Sequence, residues 1–153
     1  VRRARLSGPR AGARRRGFAH ERDLALRLFK AGFAVVRAPA SGSKASRLAY
    51  PDVVAMYRGR VLVFEAKAYS SLRPVYVDAR RYRRLVDFAE RAGGRAFLAF
   101  KLVGTGEWRL VPLQSLERIE TGAYRCPVAL LEGAERLDDL VRRVKEGGNL
   151  YIT

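Results

Sequence analysis

The sequence predicts an α/β fold, a single domain in which a central mixed β-sheet is flanked by helices. Three observations predict it. The chain has 153 residues, the size of one ordinary domain, and its 48% apolar content is enough for a substantial core. Segments with helical spacing are interleaved with short β-rich runs. Gly and Pro punctuate the places where one gives way to the next, and neither an internal repeat nor a second folded unit is discernible.

Residues 1–17 hold seven arginines, three glycines and one proline, with Val1 and Leu6 as the only large apolar side chains, so they read as a flexible basic arm before a folded domain at 18–153. A solvated tail without a specific role is the plainer reading. From His20 to Ala31, Leu24, Leu26, Leu28 and Phe29 fit a helix that Gly32 ends, with Glu21 in its first turn. Phe33–Ala38 is a short β-rich run, and Ala40–Leu48 is a polar loop. Pro51 introduces a strand over Asp52–Tyr57, and Arg58-Gly59 turns the chain tightly into a second strand, Arg60–Ala68. Val77–Ala92 has helical spacing through Tyr82, Leu85, Val86, Phe88 and Ala89, stops at Gly93-Gly94, and carries Arg80, Arg81, Arg83, Arg84 and Arg91 on its polar side. Arg95–Leu102 and Trp108–Pro112 are two more strands around Gly104-Thr105-Gly106. Leu137–Glu146 is a final helix, with Asp138 and Asp139 at its electrostatically favoured N-terminal end.

The formal net charge of +16 points to a polyanionic partner, nucleic acid first. The excess sits at the front: residues 1–50 carry 13 basic and 2 acidic side chains, whereas residues 121–153 carry 5 of each. No run of eighteen apolar residues occurs, and the basic N-terminal stretch lacks both the apolar core of a secretory signal and the apolar face of a membrane-surface helix. The expectation is a cytoplasmic, nucleoid-associated protein without a membrane partner. With Cys126 and His20 the only residues of their kinds, any metal must be held by carboxylates. No phosphate-cradling glycine motif is present, so no small-molecule cofactor is expected.

Antiparallel strands joined by a short turn bring the start of the first beside the end of the second, which places Asp52 and Glu65 together. Side chains alternate along a strand, so Glu65 and Lys67 share a face that Phe64 and Ala66 do not. Pro51-Asp52 followed by Glu65-Ala66-Lys67 has the form of the PD-(D/E)xK nuclease motif. Phosphodiester hydrolysis needs a hard divalent ion such as Mg²⁺ to polarise the phosphoryl group and to acidify water, and carboxylates supply the oxygen ligands. Lys67 fits as a stabiliser of developing negative charge, as a group orienting the water, or, with a depressed pKa, as its general base. Bare charges at strand ends more often just face solvent, so it is the setting of the motif, an apolar hairpin in a strongly basic chain, that gives it weight.

The sequence resembles the archaeal Holliday junction resolvases of the restriction-endonuclease-like superfamily from about Arg16 to Val144. The resemblance rests on Arg16–Arg22, on Gly32–Ser43, on Pro51-Asp52 and Glu65-Ala66-Lys67, on Tyr76-Val77 and on Phe88–Gly94. It implies that Glu21, Asp52 and Glu65 form an acidic metal-binding cluster, with the Ala66 carbonyl as a further ligand, Lys67 completing the site, and Mg²⁺ as the ion with Mn²⁺ able to substitute. It implies that Arg22 and Arg37 lie near DNA phosphates, with Arg16 a further DNA-binding residue, and that Ser41 is a catalytic-loop serine, a role for which Ser43 is close enough to compete. Lys44 and Arg47 are further DNA contacts, and Arg81 stands roughly where many nucleases of the superfamily have a glutamine. An arginine there cannot act as a neutral amide but can hold phosphate. The resemblance also implies a homodimer with Phe88 at its interface, although Phe88 equally suits the core side of its own helix, and Ala92 replaces a second aromatic found in some relatives. Without the resemblance, Glu21 would read as a helix-dipole partner and Ser41 as a turn residue.

Three functions compete. The first is a junction-resolving endonuclease whose homodimer makes paired symmetric nicks in branched double-stranded DNA, gripping its backbone rather than its base edges. The second is a general or repair nuclease of the same superfamily acting on linear DNA. The third is a basic nucleic-acid-binding module without catalysis, which would have no use for three converging carboxylates.

Overall fold

The computed structural model describes residues 9–38, 48 and 50–150, with the side chains of 9–16 and 18 left aside. In chain order the elements are α1 (Pro9–Lys30), β1 (Ala34–Arg37), β2 (Val53–Tyr57), β3 (Arg60–Tyr69), β4 (Val75–Val77), α2 (Ala79–Arg91), β5 (Arg95–Leu102), β6 (Glu107–Pro112), β7 (Glu117–Arg118), β8 (Tyr124–Cys126), α3 (Val128–Glu132), β9 (Glu135–Arg136) and α4 (Leu137–Lys145), with a 3₁₀ turn at Leu113–Ser115.

Six strands form the main sheet in the order β1-β2-β3-β5-β6-β9. The β2–β3 hairpin closes through Arg58 and Gly59, both at positive φ, +46° and +81°, as a two-residue turn matched to strand twist requires. β3 and β5 run parallel because the chain leaves the end of β3, crosses through β4 and α2, and returns to the start of β5. The other neighbours in the main sheet are antiparallel. Residues alternate between two cores. Phe64, Phe97, Ala99 and Leu110 pack with Leu24 and Leu28 of α1 and Leu140 and Val144 of α4. Val63, Leu98, Phe100 and Val111 pack with Leu85 and Ala89 of α2 and Leu131 of α3. The mixed sheet is thus enclosed between two helical layers, the predicted architecture. Among the described residues no helix is long and apolar enough to cross a membrane.

Several boundaries differ from the sequence reading. The helix expected from His20 begins at Pro9, where proline's missing N–H costs nothing, and continues through Ala- and Arg-rich sequence with high helix propensity. Residues 9–17 of the expected arm are therefore helical, and residues 1–8 lie outside the described residues. Glu21 stands well inside a 22-residue helix with no acidic residue in its first turn, which removes the helix-dipole account of Glu21. Of the four apolar positions read for this helix, Leu24 and Leu28, one turn apart, are fully buried; Leu26 and Phe29 are exposed. The helix expected from Val77 begins at Ala79, since Val75 and Val77 are buried strand residues paired with β8, and Asp78 caps the helix by accepting a hydrogen bond from the Arg81 amide at 2.8 Å. Strands β4, β7, β8 and β9 are two or three residues long and were not anticipated. Tyr82 of α2 stacks on Tyr124 of β8, with ring centroids 3.5 Å apart, and so ties the small sheet β4-β8-β7 to α2.

At the end of α2, Gly93 takes φ +67° and Gly94 donates to the Ala89 carbonyl at 2.8 Å, closing the helix and sending the chain into β5. An added Cβ on Gly94 would lie 2.3 Å from the backbone oxygen of Val61 in β3. Gly94→Ala is therefore expected to lose about 2 kcal/mol or more in urea unfolding. Gly17→Ala, in a helix with open space around the new methyl, should be neutral or gain up to about 1 kcal/mol. Equal stability of Gly94→Ala and wild type would mean that the α2–β3 approach is looser than described.

Candidate active site

The hairpin register sets the site. Val53 pairs with Phe64, so Asp52, one residue earlier, stands opposite Glu65, one residue later. β3 continues through Ala66–Tyr69 beyond the start of β2, held there by β5, so Glu65 lies midway along its strand rather than near its end. Asp52 Oδ2 accepts the Ala66 backbone N–H at 2.9 Å, which fixes the carboxylate against β3. Glu65 is one of two buried charged residues among those described, at 6% exposure. Lys67 projects from the same face of β3, its Nζ 3.7 Å from Glu65 Oε1.

Arg81, in the first turn of α2, joins the two carboxylates. Its Nε donates to Glu65 Oε2 at 2.8 Å, and its Nη2 lies 2.7 Å from the same oxygen and 3.3 Å from Asp52 Oδ1. The sequence placed Arg81 with the other arginines on the polar side of the helix, available to phosphate. Instead it is half-buried and turned into the site, because both carboxylates lie on the sheet face that α2 covers.

Burial pushes the Asp52 carboxyl up to about 7, helped by the negative charges of Glu65 and Glu21; the Ala66 hydrogen bond and Arg81 only partly oppose this. Burial also raises Glu21, with Arg37 pulling it down and Glu65 pushing it up. Burial disfavours the charge on Arg81, but Glu65 and Asp52 outweigh it, so the guanidinium is held protonated more firmly than usual. Glu21 thus shares the field of this cluster, although among the described residues no three Asp, Glu, His or Cys side chains stand as a ready metal cage. The donors nevertheless suit a hard divalent cation: two carboxylates already seat one cation between them, and Asp52 still carries uncompensated negative potential. The contact seen at Ala66 is through its N–H.

Arg37, in β1, is half-buried, and its Nη1 has no hydrogen-bond partner among the described residues. Arg22 is exposed on α1. The side chain of Arg16, and Ser41, Ser43, Lys44 and Arg47 entirely, lie outside the described residues. Phe88 is half-buried against the α2-side core. Sequence reasoning missed Asp23. Its Oδ2 accepts from Trp108 Nε1 at 2.9 Å and from Lys101 Nζ at 3.0 Å, anchoring α1 to β5 and β6 two residues from Glu21. A lone tryptophan, whose indole N–H needs an acceptor once buried, was the available signal.

Known proteins resemble this chain in sequence and in fold. The family model described as archaeal Holliday junction resolvase (Hjc) matches residues 12–148. The crossover junction endodeoxyribonuclease Hjc of Sulfurisphaera tokodaii is 35% identical over 130 residues, covering 85% of this chain and 88% of that protein. The protein of the same name from Archaeoglobus fulgidus is 41% identical over 105 residues, 69% of this chain and 74% of the relative. The solved structure of Archaeoglobus fulgidus Hjc, a Holliday junction resolvase from an archaeal hyperthermophile, superposes with a TM-score of 0.70 at 31% identity, covering 83% of this chain and 96% of that one. The fold is therefore the restriction-endonuclease-like α/β fold that the resemblance implied.

The electrostatics make stability depend on pH. A carboxyl raised in the folded state to about 7 from its ordinary 3.8 stabilises the fold while protonated, and this contribution fades as pH rises from about 4 through 7. With chelator present, Asp52→Asn should therefore be more stable than wild type at pH 8, by roughly 1 kcal/mol and at most about 4. The advantage should vanish near pH 4. Urea unfolding at both pH values checks this; an advantage that persists unchanged at pH 4 would contradict it.

Proposed function

This chain belongs to the archaeal Holliday junction resolvase family, and on that premise we propose that it is a structure-selective endonuclease that resolves four-way DNA junctions by metal-dependent phosphodiester hydrolysis. The observation that carries the reading is the pairing of Asp52 and Glu65 across the hairpin, with Lys67 on the same strand face and a cation already seated between the two carboxylates.

Asp52 and Glu65 would hold the divalent ion, with Glu21 and the Ala66 carbonyl completing the set; Mg²⁺ is the expected ion and Mn²⁺ its substitute. Such an ion, when bound, polarises the phosphoryl group and lowers the pKa of water. Lys67, at the mouth of the site, would stabilise negative charge developing on the phosphate. Arg81 holds Asp52 and Glu65 in one place despite their repulsion, and its planar donors suit a phosphate oxygen equally well. Half-buried Arg37, whose charge acts on Glu21, and exposed Arg22 are the arginines suited to backbone phosphates beside the site. The net charge of +16 supports binding through the DNA backbone that weakens steeply with salt. A homodimer with two equivalent sites matches the two equivalent strands of a four-way junction, and the half-buried ring of Phe88 offers apolar surface on α2 for that contact. An enzyme acting on chromosomal junctions works at the nucleoid.

The test is cleavage of a labelled four-way junction and a matched linear duplex with Mg²⁺. Wild type should make paired nicks in the junction alone. Glu65→Ala should bind the junction with similar affinity and cut it more than about 100-fold more slowly, since even outer-shell partners of a metal cost tenfold to a hundredfold. Equal cutting of the duplex would make the protein a general nuclease, and binding without cleavage of either substrate, with Mn²⁺ tried as well, would reduce it to a binding module.

A further inference from the structure

Beside the carboxylates lies a cleft of about 510 Å³, walled by Gly17 and His20 of α1, by Lys67 and Tyr69 at the end of β3, and by Arg73 and Val103 from the loops after β3 and β5. Its volume is within the range of about 300–1,000 Å³ typical of pockets that take one small molecule. Lys67 belongs both to this cleft and to the carboxylate site, so the two are continuous. Their chemistry is opposite. The carboxylate site calls for a cation, whereas among the described residues no acidic side chain lines the cleft, and Lys67 and Arg73 both face it with positive charge.

Two features prepare the cleft for an anion. The Arg73 guanidinium lies 3.7 Å from the centre of the Tyr69 ring, which in turn packs against Phe100 at 5.9 Å. An exposed arginine stacked this way is held in place while its edge donors stay available, so less side-chain freedom is lost on binding. His20 supplies a second polar group. Its ring stands at the α1 wall of the cleft, where an imidazole N–H can donate to an oxygen.

We infer that this cleft is a subsite for the DNA phosphodiester adjoining the one that is cleaved, with Arg73 holding its phosphate and His20 donating a second hydrogen bond. The inference rests on the nuclease reading, since it takes the scissile phosphate to sit at Lys67 and the carboxylates. A nucleic-acid strand that passes the carboxylates must continue along the protein surface, and this cleft adjoins them with suitable sign and size. Arg73 and His20 then set how far the strand enters, and so which bond meets the carboxylates.

The experiment uses four-way junctions carrying single uncharged methylphosphonate linkages at successive positions around the cleavage point, bound in chelator by wild type, Arg73→Gln and His20→Ala. Wild type should lose about tenfold in affinity for the linkage adjoining the scissile one. Arg73→Gln should lose a similar factor on unmodified junction but show no further loss at that linkage. Its log K against log salt slope should be shallower by about 0.9, one phosphate contact fewer. His20→Ala should lose a few-fold on unmodified junction and show a smaller further loss than wild type at that linkage. Thermal unfolding of each variant separates this from misfolding, because only a local contact produces indifference at one linkage. Additive losses at every linkage, or indifference at a linkage remote from the cut, overturn the subsite. Cleavage by wild type in Mg²⁺ is scored separately: cutting with additive losses sinks the subsite alone, whereas no metal-dependent cutting sinks the nuclease reading and the subsite with it.

Discussion

Two carboxylates forced together under a helix require a positive charge between them, and in this protein Arg81 supplies it. Asp52 and Glu65 face each other because the Arg58-Gly59 turn sets the hairpin register, and a one-residue slip would send Glu65 to the other face of the sheet. Away from bulk water their repulsion is strong, and neither has room to retreat. The guanidinium contacts both. For it to do so, the N-terminus of α2 must sit over the middle of β3, which explains why the chain spends β4, the Asp78 cap and the Tyr82–Tyr124 stack on holding the start of this helix. The crossover that makes β3 and β5 parallel is therefore also the device that delivers the counter-charge.

The site remains a place of electrostatic stress. Asp52, pushed up to about 7 despite an amide donor and an arginine, marks a cluster that is not optimised for its own stability. Stress of this kind persists where the surrounding structure over-determines it. Both faces of the sheet contribute. The α1 and α4 side buries Phe64 and Phe97, the α2 and α3 side buries Val63 and Leu98, and strands placed between two packed cores cannot splay to relieve one repulsive pair. The anchoring of α1 through Asp23, Trp108 and Lys101 is a smaller version of the same design, a satisfied polar network that holds Glu21 in register with a site on another element.

What the sequence made legible follows from which interactions are local. The β2–β3 hairpin could be read because alternation and a two-residue turn are local signals, and from it came the pairing of Asp52 with Glu65 and the shared face of Glu65 and Lys67. The inward reach of Arg81 could not be read, because helical spacing assigns a residue to a face but does not say how far a long side chain bends toward buried charge. The small strands β4, β7, β8 and β9 exist through their tertiary partners, with too few residues for a pattern. Glu21 illustrates the limit in the other direction. A helix start placed eleven residues late made it look like a helix-dipole partner, and only the true start at Pro9 removes that role. Asp23 was invisible because its partners, Lys101 and Trp108, are far away along the chain.

On the proposed reading, Asp52 and Glu65 form one cation-binding pair, and Arg81, which contacts both, stands where a divalent ion would compete. A calorimetric titration of Mg²⁺ into wild type, Glu65→Gln and Arg81→Gln at pH 8, without DNA, tests it most directly. Wild type should bind measurably, Glu65→Gln should lose most of that affinity, and Arg81→Gln, where the competing cation is gone, should bind more tightly. Equal affinity in all three proteins would place the ion elsewhere and contradict it.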